Sequence, residues 1–465
     1  MNELKQELEI QLDYAKDSKR ALKLYGILDI IRAQCFFAQD KGGALYYYKN
    51  GVYHKGGEKS LAIAYKQILD HLYEGEGYTQ HKMKEIISYF SIDAPLLLDR
   101  PKLDILNLQN GLYDCTTGKL GPHDPTYRTT IQLPVTYDPQ ATCPEWSKFI
   151  SEVFSAEDTH VAYEIIAWLM TPNTDSQKSI VLLGTGANGK SVFLNGISNF
   201  LGKSNICNIP LQKLADRFTT TQLIGKLANI SPDLPNTKIS STSEFKSLTG
   251  GDTLIGEYKN GAIFSFQPFA RCVFACNELP ETPDNSDGFY RRLNVITFDR
   301  QFKDDPTEGK RLNTVLATSS ELSGLLIQCL KVLPKVVKQG ISITAKMTEV
   351  IETHRKENDP VSVWLDECTS ESRTDENDKV VDEYYIPSSE LFQAYRQSGG
   401  GGQAAKSAMS FGRALKRYRA TVEKKQKRID GNVEWCYMGI RLKNDLDDIN
   451  WQTSDVGHDK EELVQ

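Results

Sequence analysis

The segment GTGANGKS at residues 184–191 restricts the fold of this chain more than any other segment. It follows the apolar run IVLL and precedes KSVFLNGISNFLG, in which Val192, Phe193, Ile197 and Phe200 recur at helical spacing. Glycines let the backbone curl so that successive N–H groups face one phosphate, and the helix adds its positive amino-terminal end. The pattern GxxxxGK(S/T) between a strand and a helix therefore predicts a phosphate-binding loop.

The predicted loop offers both backbone and side-chain groups to a nucleotide. Lys190 would reach the β- and γ-phosphates as a point charge, and the hydroxyl of Ser191 would ligate Mg²⁺. The predicted cofactors are therefore ATP and Mg²⁺. The residues expected to bind the nucleotide are Gly184, Thr185, Gly186, Ala187, Asn188, Gly189, Lys190 and Ser191.

Strand-like and helix-like patterns alternate from residue 145 to about 335, which predicts an α/β fold with a mainly parallel sheet. Polar residues lie at three strand edges: LANISPD ends in Asp233, RCVFACN ends in Asn277, and Arg291 and Arg292 precede LNVITF. In phosphoryl transfer an acid can hold Mg²⁺, a polar side chain can orient water, and an arginine can stabilise transition-state charge. Taken singly, they also fit a turn aspartate, a turn-capping asparagine and a surface salt-bridge pair.

The net charge of −6 and the pI near 5.8 argue against a protein coated in positive charge. Positive charge is instead concentrated in residues 405–430, within a helix–helix–hairpin pattern that predicts a winged helix. Such a cluster is expected to contact DNA phosphates, although a solvated helix face has the same composition. Its members are Lys406, Arg413, Lys416, Arg417, Arg419, Lys424, Lys425, Lys427 and Arg428.

The phosphate loop, the acid, the asparagine and the arginine pair follow one another within about 110 residues. This order resembles the superfamily 3 helicases, the ring-forming AAA+ motors of small DNA viruses, phages and plasmids. It looks most like the phage/plasmid primase–helicase family related to the poxvirus primase-helicase. The segments that carry the resemblance are GTGANGKSVFLNGISNFLG, FKSLTGGDTLIGEYKN, VFACNELPETPDNSDGFYRRLNVITFDRQF, NLQNGLYDCTTGKLGPHDP and YDPQATCPEWSKFISEVF.

The resemblance implies an AAA+ core and a role for each motif residue. Asp233 matches the Mg²⁺ acid and Asn277 the sensor. Arg292 best matches an arginine finger that acts on the neighbouring subunit, with Arg291 as the alternative. The block between acid and sensor carries a channel hairpin in these helicases. Lys246 and Lys259 lie in that block, and Lys259 is the candidate contact to single-stranded DNA, unless it is a solvated hairpin charge.

The sequence departs from many relatives in two respects. A second acid does not adjoin Asp233, whose neighbours are Pro232 and Leu234, so the water-polarising acid is unassigned and Glu244 is a weak candidate. No zinc-ligand spacing occurs, and only about 100 residues precede the recognisable block. We therefore expect a helicase without a primase active site of its own, working with a separate primase or polymerase.

The sequence as a whole predicts an ATP-dependent, ring-forming replicative DNA helicase of a phage, plasmid or other mobile element. We expect a hexamer that binds forked DNA and moves 3′→5′ on single-stranded DNA. An ATP-switched initiator that melts an origin without processive unwinding is the alternative, and a small-molecule P-loop kinase would not need the basic domain. No apolar run approaches the ~20 residues of a membrane span, and no signal peptide is recognisable, so we expect a cytoplasmic protein without a membrane partner.

The predicted domains follow from these patterns. A mixed helical, helicase-associated domain precedes the AAA+ core, and a helical segment with an acidic linker separates that core from the winged helix. An acidic tail that we expect to be disordered ends the chain. The predicted boundaries are 1–144, 145–340, 341–383, 384–443 and 444–465.

Overall fold

The computed structural model describes residues 24–73, 78–235, 237–259, 263–282, 284–302, 306–372, 384–398 and 407–443. Four predictions or parts of predictions lie outside these residues: the first 23 residues, most of the acidic linker, the DNA contact by Lys406, and the acidic tail. The chain forms two compact units. The first consists of Met1–Asn236, Ser241–Glu278 and Arg291–Thr344, and the second of Thr237–Ser240, Leu279–Tyr290 and Ala345–Gln465.

In the described residues, the amino-terminal part of the first unit contains three helices and two small antiparallel sheets. The sequence ALYYYKNGVYHK (44–55) predicts a hairpin that turns at Asn50-Gly51. The structure confirms it, and the turn residues Asn50 and Gly51 have φ values of 52° and 87°. Positive φ at both central residues is what a two-residue hairpin turn of type I′ requires, and Asn-Gly supplies it. The elements are Leu24–Gln34 (α1), Phe37–Gln39 (β1), Leu45–Lys49 (β2), Val52–Lys55 (β3), Gly57–Tyr73 (α2), Gln80–Asp93 (α3), Ile105–Leu108 (β4), Gly111–Asp114 (β5) and Lys119–Gly121 (β6).

The chain then forms the predicted parallel sheet, flanked by helices. The helices of this region are Pro144–Val153 (α4), Thr159–Leu169 (α5), Lys190–Leu201 (α6), Ser243–Gly250 (α7), Asp287–Tyr290 (α8), Pro306–Val315 (α9) and Ser319–Gln339 (α10). Its strands are Ser179–Leu183 (β7), Ile206–Cys207 (β8), Ala228–Ser231 (β9), Leu254–Glu257 (β10), Ile263–Phe266 (β11), Arg271–Cys276 (β12) and Leu293–Thr297 (β13). Of these, α8 belongs to the second unit.

Five of these strands form one sheet in the order β13-β7-β12-β9-β8, and every neighbouring pair is parallel. All six residues of β12 are buried, as expected for a central strand covered on both faces. From β7 the chain goes to one edge of the sheet, and from β12 it crosses over β7 to the other edge. Ligands of open α/β sheets bind at the carboxyl ends of strands at such a reversal. The topology therefore places a binding site beyond the ends of β7 and β12.

Strands β10 and β11, which lie between β9 and β12 in the sequence, form an antiparallel hairpin that is separate from the five-stranded sheet. It carries several exposed apolar side chains, including Ile255 and Ile263. The residues 260–262 at its tip lie outside the described part of the chain.

Besides α8, the described residues of the second unit form a pair of helices, a compact helix–helix–hairpin arrangement and two short sheets. The Asp359-Pro360 pair in residues 343–368 predicts a break between two helices, and the structure confirms it. Asp359 caps the second helix by accepting a hydrogen bond from Val361, and Pro360 occupies its first position. The elements are Ala345–Asn358 (α11), Pro360–Cys368 (α12), Thr369–Glu371 (β14), Tyr385–Pro387 (β15), Ser388–Gln397 (α13), Ala408–Tyr418 (α14), Glu423–Ile429 (β16), Asn432–Met438 (β17) and Ile440–Leu442 (β18).

The core of this unit lies between α12, α13, α14 and the sheet β15-β17-β16, whose strands are antiparallel. Trp364, Tyr395 and Phe411 meet there with ring centroids 5.2–6.0 Å apart. Across the described parts of the chain, no single helix is long and apolar enough to cross a membrane. Two consecutive helical stretches bent by 69°, Thr307–Val315 and Ser319–Gln339, meet the length and composition requirement only as a pair.

Candidate nucleotide site and basic surfaces

The predicted phosphate loop connects the end of β7 to the start of α6. Three of its residues have positive φ: Gly186 at 112°, Ala187 at 47° and Gly189 at 88°. A side chain at position 184 would collide with the Asn188 amide, and one at position 189 would lie 2.9 Å from a methyl group of Val153. The loop therefore depends on its glycines for backbone conformation and for space.

The segment that follows β13 holds the loop in place. Asn188 Nδ2 donates to the carbonyl of Phe298 at 3.2 Å, and the N–H of Phe302 donates to the carbonyl of Ala187 at 2.8 Å. Gln301 Nε2 donates to the hydroxyl of Thr185 at 3.0 Å. Sequence reasoning missed these contacts, and their only trace is the position of DRQF directly after the last strand. They pre-form the loop, which lowers the entropic cost of ordering it around a ligand.

Lys190 and Asn277 meet at the carboxyl ends of the neighbouring strands β7 and β12. The Nζ atom of Lys190 donates to the carbonyl oxygen of Gly184 and to Oδ1 of Asn277, the latter at 3.3 Å. Burial lowers the pKa of Lys190, and the nearby carboxylate of Asp233 opposes that shift. The structure thus brings three of the predicted site residues into one electrostatic neighbourhood.

Asp233 follows β9 at the same edge of the sheet, and its side chain is exposed. The next residue, Leu234, donates its N–H to the carbonyl of Ala275 in β12 at 2.8 Å, which fixes this segment against the adjacent strand. Glu244, the weak candidate for the second acid, instead accepts hydrogen bonds from Ser241 and Ser243 at the start of α7. These contacts are local and do not link Glu244 to the phosphate loop.

The residues present are compatible with Mg²⁺. Ser191 is exposed in the first turn of α6, and Asp233 is exposed beyond β9, so each offers an oxygen ligand. Mg²⁺ prefers oxygen ligands and keeps several waters or substrate phosphates in its shell. The described residues contain no group of three or more His, Cys, Asp or Glu side chains placed to hold a metal. A magnesium ion here would therefore rely on the nucleotide for part of its coordination.

The arginine pair lies at the amino ends of the parallel strands, whereas the phosphate loop lies at their carboxyl ends. The N–H of Ser179, the first residue of β7, donates to the carbonyl of Arg292 at 2.7 Å. The five residues of β7 separate the carbonyl of Arg292 from the phosphate loop, a distance of roughly 16 Å along the strand. Neither Arg291 nor Arg292 is therefore positioned to act on the phosphate loop of its own chain.

The two arginines differ in accessibility. Arg292 is 8% exposed, and its Nε donates to the hydroxyl of Thr249 in α7 at 3.0 Å. Burial and then the charge of Arg291 lower the pKa of Arg292. Arg291 is exposed, and its guanidinium donates to Oε1 of Gln177 at 2.7 Å. The structure therefore makes Arg291, the sequence-based alternative, the more accessible of the two.

The lysines of the block between acid and sensor have different surroundings. Lys259 is exposed beside the tip of the β10–β11 hairpin, next to Tyr258, whose ring stacks on Phe264 at 5.2 Å. Glu257 at the base of the tip forms an ion pair with Arg217 at 2.6 Å. Lys246 is half-buried on α7. Accessibility thus favours Lys259 over Lys246 as a contact to a ligand.

The basic cluster of the second unit divides between α14, the residue after it and β16. Arg413, Lys416 and Arg417 lie on α14, and Lys424, Lys425, Lys427 and Arg428 lie on β16. Arg419 is only 14% exposed in its side chain and forms ion pairs with Asp366 and Glu371. The structure therefore places Arg419 in the internal framework of the unit, and we leave it out of the proposed DNA-binding surface.

Two family models match the chain. Residues 182–292, from the end of β7 through the arginine pair, match a family of unknown function (DUF5906). Residues 25–155 match a model described as D5 N terminal like. Together the two matches cover the amino-terminal sheets, the phosphate loop and all four motifs of the candidate nucleotide site.

Three viral proteins are homologous to parts of the chain. "Putative helicase L207/L206" of Acanthamoeba polyphaga mimivirus is 31% identical over 144 residues, which is 28% of this chain and 14% of that protein. "Putative helicase 121R" of Invertebrate iridescent virus 3 is 25% identical over 48% of this chain and 25% of that protein. "Putative helicase 184R" of Invertebrate iridescent virus 6 is 25% identical over 43% and 22%, respectively. The chain thus spans a quarter or less of the length of these relatives.

Among solved structures, the A form apo structure of the NrS-1 C-terminal region aligns with 90% of this chain and 99% of that one. The two are 14% identical, with a TM-score of 0.47. The relationship predicted from the motifs is confirmed by the D5 N-terminal-like match, by the match that runs from phosphate loop to arginine pair, and by the viral homologues. The chain is therefore a relative of the superfamily 3 primase–helicases.

Proposed function

We propose that the chain is the ATP-driven motor of a replicative DNA helicase. The observation that carries this proposal is the meeting of Lys190 with Asn277 beyond the ends of two adjacent parallel strands, within electrostatic reach of Asp233. These residues supply a phosphate-binding cation, a polar group for orienting water and an Mg²⁺ ligand, the three parts that phosphoryl transfer needs from one subunit.

In the proposed mechanism the backbone N–H groups of residues 184–191 and the ammonium of Lys190 bind the β- and γ-phosphates of ATP. Ser191 and Asp233 would hold Mg²⁺, and the ion would neutralise charge that develops on the phosphate oxygens. Asn277 orients the attacking water through its side-chain amide, while its contact with Lys190 fixes both side chains. Catalysis then consists mainly of positioning and charge stabilisation by groups already in place.

The proposed site is completed by a neighbouring subunit. The arginine pair lies one strand length from the phosphate loop of its own chain, so an arginine can serve as a finger only across a subunit boundary. This requirement supports a closed ring, which we propose to be a hexamer with an AAA+ core. The exposure of Arg291 makes it our first candidate for the finger, with Arg292 buried beside it as a finger or as its support.

The proposed DNA contacts lie on both units. Lys259 would touch single-stranded DNA in the channel of the ring, and the helix–helix–hairpin of the second unit would act as a winged helix on forked DNA. The exposed cations of α14 and β16 support the latter role. The family resemblance predicts four further properties. These are movement in the 3′→5′ direction, a separate primase or polymerase as partner, a phage or plasmid as the source of the protein, and a cytoplasmic location.

ATP hydrolysis by purified full-length protein, with and without single-stranded DNA, tests the proposal. Lys190→Ala should lower turnover by about 10²–10³-fold, because it removes a charge aimed at the transferring phosphate. Lys203→Ala is a matched control, since Lys203 is an exposed lysine just beyond the end of α6. Turnover near the wild-type rate in Lys190→Ala would refute the assignment of the site.

A further inference from the structure

The β16–β17 hairpin projects from the second unit as a two-stranded ribbon. Strand β17 pairs with β15 only over Cys436–Met438, whereas it pairs with β16 along its whole length. Residues 426–435 therefore extend beyond the three-stranded part of the sheet. Their turn, Asp430-Gly431, has φ values of 49° and 89°, which suit a tight two-residue hairpin.

Side chains alternate between the two faces of this ribbon and separate its charges. Lys424, Gln426 and Arg428 lie opposite Tyr437, Trp435 and Val433, and we call this set the cationic face. The other face carries Glu423, Lys425 and Lys427 opposite Met438, Cys436 and Glu434. Both acidic residues of the two strands thus lie on the other face, and the cationic face combines positive charge with an aromatic and an aliphatic side chain.

Trp435 is the unusual member of the cationic face. It lies on the central strand of the sheet, yet 53% of it is exposed, and the neighbouring Val433 is 58% exposed. Two residues further along the same face, Tyr437 is 6% exposed and belongs to the core with Phe411. The face therefore leaves the core between Tyr437 and Trp435 and presents the indole to solvent.

A cation stands next to the exposed indole. The Nζ atom of Lys424 lies 5.9 Å from the ring centroid of Trp435 and 5.5 Å from that of Tyr437. Arg428 lies four residues further along the same face of β16. The cations of the other face are engaged locally: Lys425 forms an ion pair with Glu423, and Lys427 Nζ lies 3.5 Å from the ring centroid of Tyr385.

We propose that Trp435 is a stacking platform for an unpaired nucleic-acid base, with Lys424 and Arg428 contacting the phosphates that flank it. Aromatic side chains beside a positively charged track are how proteins hold single strands without regard to sequence. The absence of acidic side chains from the cationic face of the two described strands favours a polyanion over a protein partner. The proposal rests on the proposed function and deepens it, because it assigns the hairpin to the unpaired strand at a fork.

The test is fluorescence anisotropy of the full-length protein with a labelled oligothymidine and with an abasic oligonucleotide of equal length. Trp435→Ala should weaken binding of oligothymidine by about 5- to 150-fold, the range for loss of one stacked base, and leave abasic binding unchanged. Trp435→Phe should retain most of the affinity, because it keeps an aromatic face. The salt dependence of binding should not change in either variant.

Removal of two positive charges from the cationic face, compared with removal of two positive charges elsewhere on the chain, supplies the matched control. The double variant Lys424→Ala/Arg428→Ala should reduce the slope of log affinity against log salt by about 1.4, the value for two phosphate contacts on a single strand. Lys331→Ala/Lys338→Ala removes the same charge from two exposed lysines of α10, outside the proposed DNA-binding surface, and should leave that slope close to wild type. Circular dichroism of each variant checks that the hairpin is intact.

Two results would overturn the proposal. One is equal affinity of wild type and Trp435→Ala for oligothymidine. If Trp435→Ala at the same time abolishes self-association or binding to a partner protein, the exposed indole is a protein contact and not a base platform. The other is an equal loss of affinity for both oligonucleotides, which would indicate a structural or purely electrostatic effect. A wild-type protein that binds neither oligonucleotide would instead refute the proposed helicase function itself.

Discussion

The Nζ atom of Lys190 lies 3.3 Å from Oδ1 of Asn277, so the first residue of α6 is tied to the residue directly after β12. The contact spans 87 positions of sequence and links the phosphate loop to an asparagine that, taken alone, would also fit a turn cap. Because the lysine is buried, this contact and the carbonyl of Gly184 set the direction of its ammonium group.

Removal of the Asn277 amide should affect turnover more than binding. We expect Asn277→Ala to lower kcat of ATP hydrolysis by about 100-fold while KM changes by less than about tenfold, because the amide acts on the water and on the lysine rather than on the nucleotide base. Steady-state kinetics check this. Asn195→Ala, an exposed asparagine on α6, is the control and should leave both constants unchanged.

Position 184 should tolerate no side chain. In Gly184→Ala the new methyl group would collide with the Asn188 amide and lie 2.8 Å from the carbonyl of Phe298. We expect a loss of nucleotide binding and about 1–3 kcal/mol of stability, measured by equilibrium titration and by denaturant unfolding. Gly309→Ala on α9 meets nothing within 4 Å and should leave nucleotide binding intact. Normal nucleotide affinity in Gly184→Ala would show that the loop is not packed as described.

The buried carboxylate of Glu164 should make the stability of the first unit depend on pH. Burial by itself would raise the pKa of Glu164, but hydrogen bonds from Lys335 at 2.6 Å and from the Ser342 N–H at 2.7 Å outweigh it, and the pKa is lowered. A lowered pKa stabilises the fold above the unfolded-state value of 4.5, and this contribution is lost as the pH falls through the folded-state value.

Glu164→Gln tests this dependence. At pH 7 the variant should unfold at lower denaturant concentration, with a cost of about 1–3 kcal/mol for the weakened buried hydrogen bonds. The difference from wild type should shrink as the pH falls below about 4.5. Glu152→Gln on α4 alters an exposed carboxylate and serves as the control. A difference that does not change with pH would contradict the assigned ionisation.

Substitution of the two arginines should have different effects on the free energy of unfolding. Arg291→Ala changes an exposed side chain, so we expect it to abolish DNA-stimulated ATP hydrolysis with a change in unfolding free energy within about 0.5 kcal/mol. Arg292→Ala removes a buried partner of Thr249 and should cost about 1–3 kcal/mol in addition to any loss of activity. Thermal unfolding with parallel ATPase assays checks both. Full activity of Arg291→Ala would return the finger assignment to Arg292.

Local patterns of sequence predicted much of this fold. The phosphate loop, the strands that end near Asp233 and Asn277, and the Asn50-Gly51 hairpin were all predicted, because each depends on a few consecutive residues. The burial of Arg292 against Thr249 was not predictable, since it depends on a contact between residues 43 positions apart.

Tertiary relationships account for the other differences. The closure of the phosphate loop by the segment after β13 requires that β13 lie beside β7, which no local pattern specifies. Arg419 has the same composition signal as its basic neighbours, and only the position of Asp366 and Glu371 makes it internal. The membership of Leu279–Tyr290 in the second unit is likewise a property of the whole chain.

The central claim is that the nucleotide site is shared between adjacent subunits, and mixing of two inactive variants tests it most directly. Lys190→Ala lacks the phosphate-loop cation, and Arg291→Ala/Arg292→Ala lacks the arginines, so each alone should be inactive. In a ring assembled from both at equal amounts, about one site in four would combine an intact loop with intact arginines. We predict that ATP hydrolysis reappears on mixing and peaks near equal amounts. Mixtures as inactive as the separate variants, although mixed rings form, would contradict the shared site.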